Sequence, residues 1–154
     1  MNEGFLGTNA RLYVDLVLLV EIGMGLGLLV GALFARMRRF RAHAACQTAV
    51  VLLNLAIIVL VMVPSFRTRV SPKVPLKLGK AYYALATAHG ALGSIVECGG
   101  LYILLAAGTK LLPERLRITR YKLWMRSVLV AWWLVLSLGL ATYARWYIPH
   151  LFRP

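Results

Sequence analysis

The sequence is poor in acidic residues and in the side chains from which soluble active sites are commonly built. Five Asp and Glu, three His and two Cys occur among 154 residues. Cys46 and Cys98 belong to no Cys-x-x-Cys pair, so no disulfide framework or zinc site is indicated. The chain also lacks a nucleophile elbow, a phosphate-binding loop and a dinucleotide fingerprint. We therefore expect that the protein is not an enzyme.

Apolar residues are what the chain has in excess. They make up 60% of it, and its mean hydropathy is +0.74, whereas soluble domains are about 45–50% apolar. Residues 12–35, 42–63, 81–107 and 123–148 form four stretches that are each long enough to cross a bilayer as a helix. Short connections leave no room for a soluble part. The sequence predicts one all-α domain, residues 1–154, that is an integral membrane four-helix bundle with up-down topology.

Basic residues lie mainly between the apolar stretches. Eighteen Lys and Arg give a net charge of +13, and in these positions they indicate anionic lipid headgroups as partners rather than nucleic acid. The side that carries the loops after the first and third spans has slightly more basic residues, including a dense arginine run at 36–41. The positive-inside rule then predicts cytoplasmic loops there and both termini outside.

Three polar residues within spans are functional candidates, because such residues are costly in a bilayer. At a rise of 1.5 Å per residue, Glu21, Asn54 and His89 all lie roughly 12–15 Å below the outer ends of their spans. They are expected to form one buried polar layer, with His89 as the candidate metal ligand. The layer either relays protons, contacts a substrate or holds a metal or haem, or it only fixes helix register through hydrogen bonds.

A second polar group is expected nearer the cytoplasm, where Glu97 pairs with either His43 or Arg126. A haem bound between two histidines needs both imidazoles at one depth, and the axial offset of His43 and His89 is roughly 15–20 Å. Haem therefore ranks low among the candidate cofactors, and none is firmly indicated. Asp15 lies near the outer surface and is expected to be solvated or to act as a cap.

Glycines mark the expected helix contacts. Gly27 and Gly31 form a small-x-x-x-small pair, which permits the close approach of another helix. Gly90 and Gly93 belong to a third span so rich in small residues that we expect it at the centre of the bundle. The second span is expected to end at Pro64, with residues 65–80 forming an irregular loop.

Five motifs in order along the chain carry a resemblance to a known family. They are Asn9, RRFRAH (38–43), LGKAY (78–82), LATAH (85–89) and LGLATY (138–143). In sequence and spacing they resemble the small four-helix membrane proteins of the CtaM-like family, which are tied to the maturation of haem-copper cytochrome oxidases. The family usually carries a further His at the start of the fourth span, where this chain has Arg120, Tyr121 and Lys122.

The resemblance implies an accessory or assembly protein of a respiratory haem-copper oxidase, or of a related electron-transfer complex, in the bacterial cytoplasmic (inner) membrane. Other membrane-protein subunits would be its partners. Two alternatives stay open. One is a non-catalytic structural subunit of a larger respiratory or photosynthetic complex, which the missing His would suit. The other is a haem-binding electron-transfer protein.

Overall fold

The computed structural model describes residues 5–109, 111–117 and 119–148, and no residue in these ranges lies in a β-strand. Its helices in chain order are α1 (Leu12–Arg36), α2 (Phe40–Ile57), α3 (Val63–Arg69), α4 (Val74–Lys77), α5 (Ala81–Gly108) and α6 (Tyr121–Tyr147). A π-helical turn, Ile58–Met62, joins α2 to α3. Short 3₁₀ turns occupy Ser71–Lys73 and Glu114–Leu116.

Within the described residues, four helical segments are long and apolar enough to cross a membrane: Leu12–Arg36, Phe40–Lys77, Ala81–Gly108 and Tyr121–Tyr147. The prediction of an all-α bundle with four membrane spans is thereby confirmed. Helices α1 and α2 pack together, as do α5 and α6, and the ring is closed by α1 on α6 and α2 on α5. Helices α1 and α5 therefore lie diagonally across the bundle.

The second span is longer than the sequence predicted. The predictions that it ends at Pro64 and that an irregular loop comes next were wrong, because the chain stays helical through Arg69 and turns helically again up to Lys77. A proline lacks the N–H that a continuous α-helix would use. Here the amide of Val63 bonds the carbonyl of Ile58 five residues back, and Pro64 falls in the first turn of α3, where an amide is not needed.

The arginine run forms a tight turn between α1 and α2. Arg38 has a φ of 58°, in the left-handed region. The amides of Arg38 and Arg39 reach back to the carbonyls of Ala35 (3.1 Å) and Phe34 (2.9 Å). This pair of bonds is a Schellman motif, which satisfies the last carbonyls of a helix and reverses the chain.

The core runs along the axis between the four long helices. Its buried residues come from all of them: Met24, Leu28, Val50, Val51, Val96 and Trp132. Large apolar side chains also cover the outside of the bundle, as Leu60 (74% exposed) and Ile95 (69%) illustrate. An apolar exterior is what a bilayer requires, since lipid chains are as apolar as the side chains themselves.

Candidate functional site

A buried carboxyl and a buried amide meet where α2 packs on α5. The Nδ2 atom of Asn54 donates a 2.8 Å hydrogen bond to Oε2 of Glu97, and both residues are buried. One turn further along α5, Gly100 lies against Val51 of α2. Glu97 thus belongs to the α2-facing side of its helix. The expectation that it pairs with His43 or Arg126 was wrong for this reason.

Glu21 lies on α1, diagonally across the bundle from the helix that carries Glu97. The Oε1 atoms of Glu21 and of Glu97 are both buried and have no hydrogen-bond partner. Of the three residues predicted to form one polar layer, Asn54 thus bonds Glu97, a residue that was not predicted to belong to it.

His89 lies elsewhere on α5. Its Nδ1 is 3.0 Å from the carbonyl oxygen of Val135 on α6, and a carbonyl only accepts, so this nitrogen is the donor. His89 and Glu97 are eight residues apart, which turns their side chains about 80° apart around the helix. The same spacing separates them by about 12 Å along the helix axis, so His89 does not lie at the level where Asn54 bonds Glu97. The prediction that His89 and Asn54 share one layer was therefore wrong in depth as well as in direction around the helix. The depth of Asn54 was counted from Pro64, whereas the chain stays helical through Arg69.

The predicted cytoplasmic polar group does not form. His43 donates from Nδ1 to the carbonyl oxygen of Gly31 on α1 at 2.8 Å, while Arg126 is exposed on α6. The neighbours of His43 on α2 act in the same way. Cys46 Sγ donates to the carbonyl of Gly27 and Gln47 Nε2 to that of Leu28, each at 3.2 Å. Polar side chains of α2 therefore fasten it to the backbone of α1.

Two of the four predicted packing glycines make close contacts. A Cβ at Gly31 would overlap Nε2 of Gln47, and one at Gly27 would lie 3.2 Å from Val50. Gly90 and Gly93 have ordinary contacts, with nearest atoms at 3.8 Å and 3.4 Å.

Three further glycines with tight contacts were not predicted. A Cβ at Gly25 would lie 3.0 Å from Leu136, one at Gly139 would lie 3.0 Å from Cε1 of His89, and one at Gly99 would lie 3.3 Å from Val128. Gly139 lies in the LGLATY motif, which could have drawn attention to it.

A polar cluster at the end of the bundle where α1 begins and α6 ends was also not predicted. Asp15 is fully buried rather than solvated. It accepts hydrogen bonds from Tyr143 Oη (2.5 Å) and from the amide of Leu6 (3.0 Å), and Thr8 Oγ1 lies 2.8 Å from the same tyrosine oxygen. These bonds hold residues 5–10 against α1 and α6. Local sequence gives no signal for this, since Asp15 and Tyr143 are 128 residues apart.

His89 has no co-ligands for a metal ion among the described residues, in which no group of three His, Cys, Asp or Glu could hold one. Its imidazole packs closely on α6, since a Cβ added at Gly139 would lie 3.0 Å from Cε1 of His89.

Comparison with known proteins adds no relative. No protein-family model, no curated protein and no solved structure matches the chain. Its function is therefore inferred from the residues and from their geometry.

Proposed function

We propose that the chain is an accessory or assembly protein of a respiratory haem-copper oxidase, or of a related electron-transfer complex, in the bacterial cytoplasmic membrane. One observation carries the proposal: all five motifs of the CtaM-like resemblance supply contacts between parts of the bundle. The motif residues in these contacts are Asn9, His43, Tyr82, His89, Gly139 and Tyr143. The motifs thus specify a particular bundle rather than a catalytic centre.

The outer-end motifs illustrate such contacts. The amide of Asn9 donates to the carbonyl of Tyr147 at 3.2 Å. Tyr82 stacks on Trp146 with ring centroids 4.6 Å apart, and the indole N–H of Trp146 donates to the carbonyl of Tyr82. Each contact joins segments far apart in sequence. A chain with little soluble part and a fixed bundle acts through its membrane-embedded faces and short loops, which suits a protein that holds other subunits during assembly.

The partners proposed are other membrane-protein subunits and anionic lipid headgroups. A cavity of about 470 Å³ lies between the end of α5 and the start of α6. Arg117 and Thr109 line its polar part, and Met125 and Ala106 line its apolar part. A guanidinium beside an apolar wall suits a lipid phosphate with an attached chain.

Deletion of the gene tests the assembly role. We expect lower levels of assembled oxidase and of its bound haem in membranes of the deletion strain, with recovery on complementation by the wild-type chain. Complementation by a Gly139→Leu variant, which would push the His89 contact apart, should restore less. Normal oxidase content and activity in the deletion strain would reject the proposal.

A second candidate is a non-catalytic structural subunit of a larger respiratory or photosynthetic complex. Tyr121 favours this second candidate. It lies in the segment where the family usually carries a histidine, and its hydroxyl instead donates a structural hydrogen bond to the carbonyl of Ala106. Purification of the mature complex in mild detergent distinguishes a structural subunit from an assembly factor. A structural subunit remains in it at constant stoichiometry, whereas an assembly factor is absent from it. A Soret band in the purified chain would instead support the haem-binding alternative.

A further inference from the structure

We propose that Glu97 is a proton-binding site in the middle of the membrane, a carboxylic acid at neutral pH whose carbonyl oxygen accepts a hydrogen bond from Asn54. The inference goes beyond the proposed function and does not depend on it. It rests on the contacts of one side chain. Glu97 is 4% exposed, its Oε2 accepts the 2.8 Å hydrogen bond from Asn54, and its Oε1 is buried without a partner.

Glu97 lies in the middle of its span, far from the basic residues at the helix ends. It is about 16 Å along the axis from Gly108 and about 24 Å from Ala81, where α5 ends and begins. An ionised carboxylate in the bilayer core is costly unless a cation pairs with it. The spans contain long stretches without any Lys or Arg: residues 12–35, 42–66, 81–109 and 127–144. The neutral acid needs no such cation.

The titratable groups on the helices around Glu97 do not replace a cation. Helix α5 packs on α2 and α6, and α1 lies across the bundle. Besides Glu97, the middle parts of the four spans (residues 16–35, 44–66, 84–101 and 127–142) contain four titratable side chains: Glu21, Cys46, His89 and Cys98. His89 lies about 12 Å away along the axis of α5 and donates to a carbonyl of α6. None of the four supplies a permanent positive charge.

The hydrogen bonds of Glu97 also favour a bound proton. Asp15, the other fully enclosed carboxyl, has a donor on each oxygen, from Tyr143 on Oδ1 and from the amide of Leu6 on Oδ2. Glu97 has a donor on Oε2 alone. A carboxylate only accepts hydrogen bonds, whereas a carboxylic acid also donates one. An O–H on Oε1 is free to donate to a backbone carbonyl of its own helix, as the Ser94 hydroxyl does on α5.

A metal cation would fit this place less well than a proton. Asn54 directs its NH₂ group at Glu97, and an amide binds a cation through its oxygen instead. Within the described residues, Glu97 also belongs to no group of three His, Cys, Asp or Glu that could hold a metal ion. A proton needs only the carboxyl and the existing amide donor.

Infrared spectroscopy of the purified full-length protein in an ester-free detergent tests the proposal. Exposed carboxyls are ionised at neutral pH, so the C=O stretch of a carboxylic acid reports a protonated side chain, and the sequence has only five candidates. We expect such a band in the wild type, with a shift in D₂O. Glu97→Gln should remove it. Asn54→Leu should move it to higher frequency, because the C=O group loses its hydrogen bond.

Three further variants are matched controls. Glu114→Gln, in the exposed segment between α5 and α6, and Asp15→Asn should leave the band in place. Glu21→Gln separates the two carboxyls in the middle of the spans. The part of the band that Glu97→Gln removes should remain in Glu21→Gln.

Three outcomes would overturn the proposal. They are the absence of a protonated-carboxyl band in the wild type at neutral pH, a band that survives unchanged in Glu97→Gln, and a band whose frequency is the same in Asn54→Leu as in the wild type. Far-UV circular dichroism checks that the variants are folded. The wild-type spectrum and its D₂O shift need no variant, so the proposal stays testable even if a variant does not fold.

Discussion

The hydroxyl of Tyr143 is the donor that holds together the end of the bundle where α1 begins and α6 ends. It donates to Asp15, a fully buried carboxyl, and lies within hydrogen-bond distance of Thr8. A buried acceptor that loses its donor keeps the cost of desolvation without the compensating bond. A single oxygen atom thus couples α1, α6 and the N-terminal segment.

Tyr143→Phe is expected to lower the free energy of unfolding by about 1–3 kcal/mol, because it leaves Asp15 without its closest donor. The measurement is denaturant-induced unfolding in detergent micelles. Thr142→Val is the matched control, since the Thr142 hydroxyl bonds only the carbonyl of Leu138 in its own helix. An equal decrease in the free energy of unfolding in both variants would contradict the assigned role of Tyr143.

Gly31→Ala should destabilise the contact between α1 and α2. A new Cβ would overlap Nε2 of Gln47 and would displace the amide from the carbonyl of Leu28, at a cost of about 1 kcal/mol for the lost hydrogen bond. Gly23→Ala on the same helix is the control, because no atom lies within 4 Å of its added Cβ. Thermal unfolding of both proteins should show a lower midpoint for the first variant only.

At the scale of single elements, the helix ends and the π-helical turn decide where side chains point. The π turn before Pro64 adds a residue to one turn and so rotates α3 relative to α2. It brings Phe66 and Val70 onto Tyr83 and Ala86 of α5, where Val70 is 1% exposed. The segment after Pro64 was expected to be a loop, and it is instead packed against the third span.

Val70→Ala is expected to lower the free energy of unfolding by about 1.6 kcal/mol, because two buried methyl groups are lost at about 0.8 kcal/mol each. Val59→Ala, within the π turn and 55% exposed, should cost less than half of this. Chemical unfolding of the two variants side by side measures the difference. Identical stability would show that residues 63–70 contribute no packing.

Arg38→Gly is expected to stabilise the turn between α1 and α2 by about 0.5–1 kcal/mol. A residue with a side chain is strained at φ 58°, whereas glycine is not. Arg39→Gly is the control because Arg39 has a φ of −85° and carries no such strain. Both variants lose one positive charge, so a higher free energy of unfolding in Arg38→Gly alone would come from the relief of backbone strain. A lower free energy of unfolding in Arg38→Gly, measured by chemical unfolding, would contradict the prediction.

At the scale of the whole molecule, the ring order of the helices sets which polar groups meet. Helices α2 and α5 are neighbours, so Asn54 and Glu97 meet between them, whereas α1, which carries Glu21, lies diagonally across from α5. Both basic inter-helix segments, residues 36–41 and 111–117, lie at one end of the ring, and residues 69–80 lie at the other. The orientation of that ring in the membrane is inferred from the charge balance and is a prediction.

Cysteine labelling checks the orientation. In a Cys46→Ser, Cys98→Ala background, a cysteine at Ser71 should react with a membrane-impermeant maleimide in intact spheroplasts. A cysteine at Arg115 should react only after lysis, because the positive-inside rule places that loop in the cytoplasm. The opposite pattern would invert the topology and place both termini inside.

The sequence by itself determined the class of the protein. Hydropathy and helix length indicate four spans, because apolar stretches of this length match the thickness of a bilayer. The depth of Asn54 was not determined in this way, because it was counted from Pro64 and the chain stays helical through Arg69. The Gly27–Gly31 contact was also predictable from sequence, since small side chains at helical spacing allow close approach.

Only the tertiary structure decided which polar residues meet. Position around a helix depends on how each helix is rotated and on which helix is its neighbour, and both are set by packing along the whole span. That is why His89 faces Val135 of α6 and Glu97 takes its place beside Asn54. The same applies to Asp15 and Tyr143, whose contact depends on how α1 packs against α6.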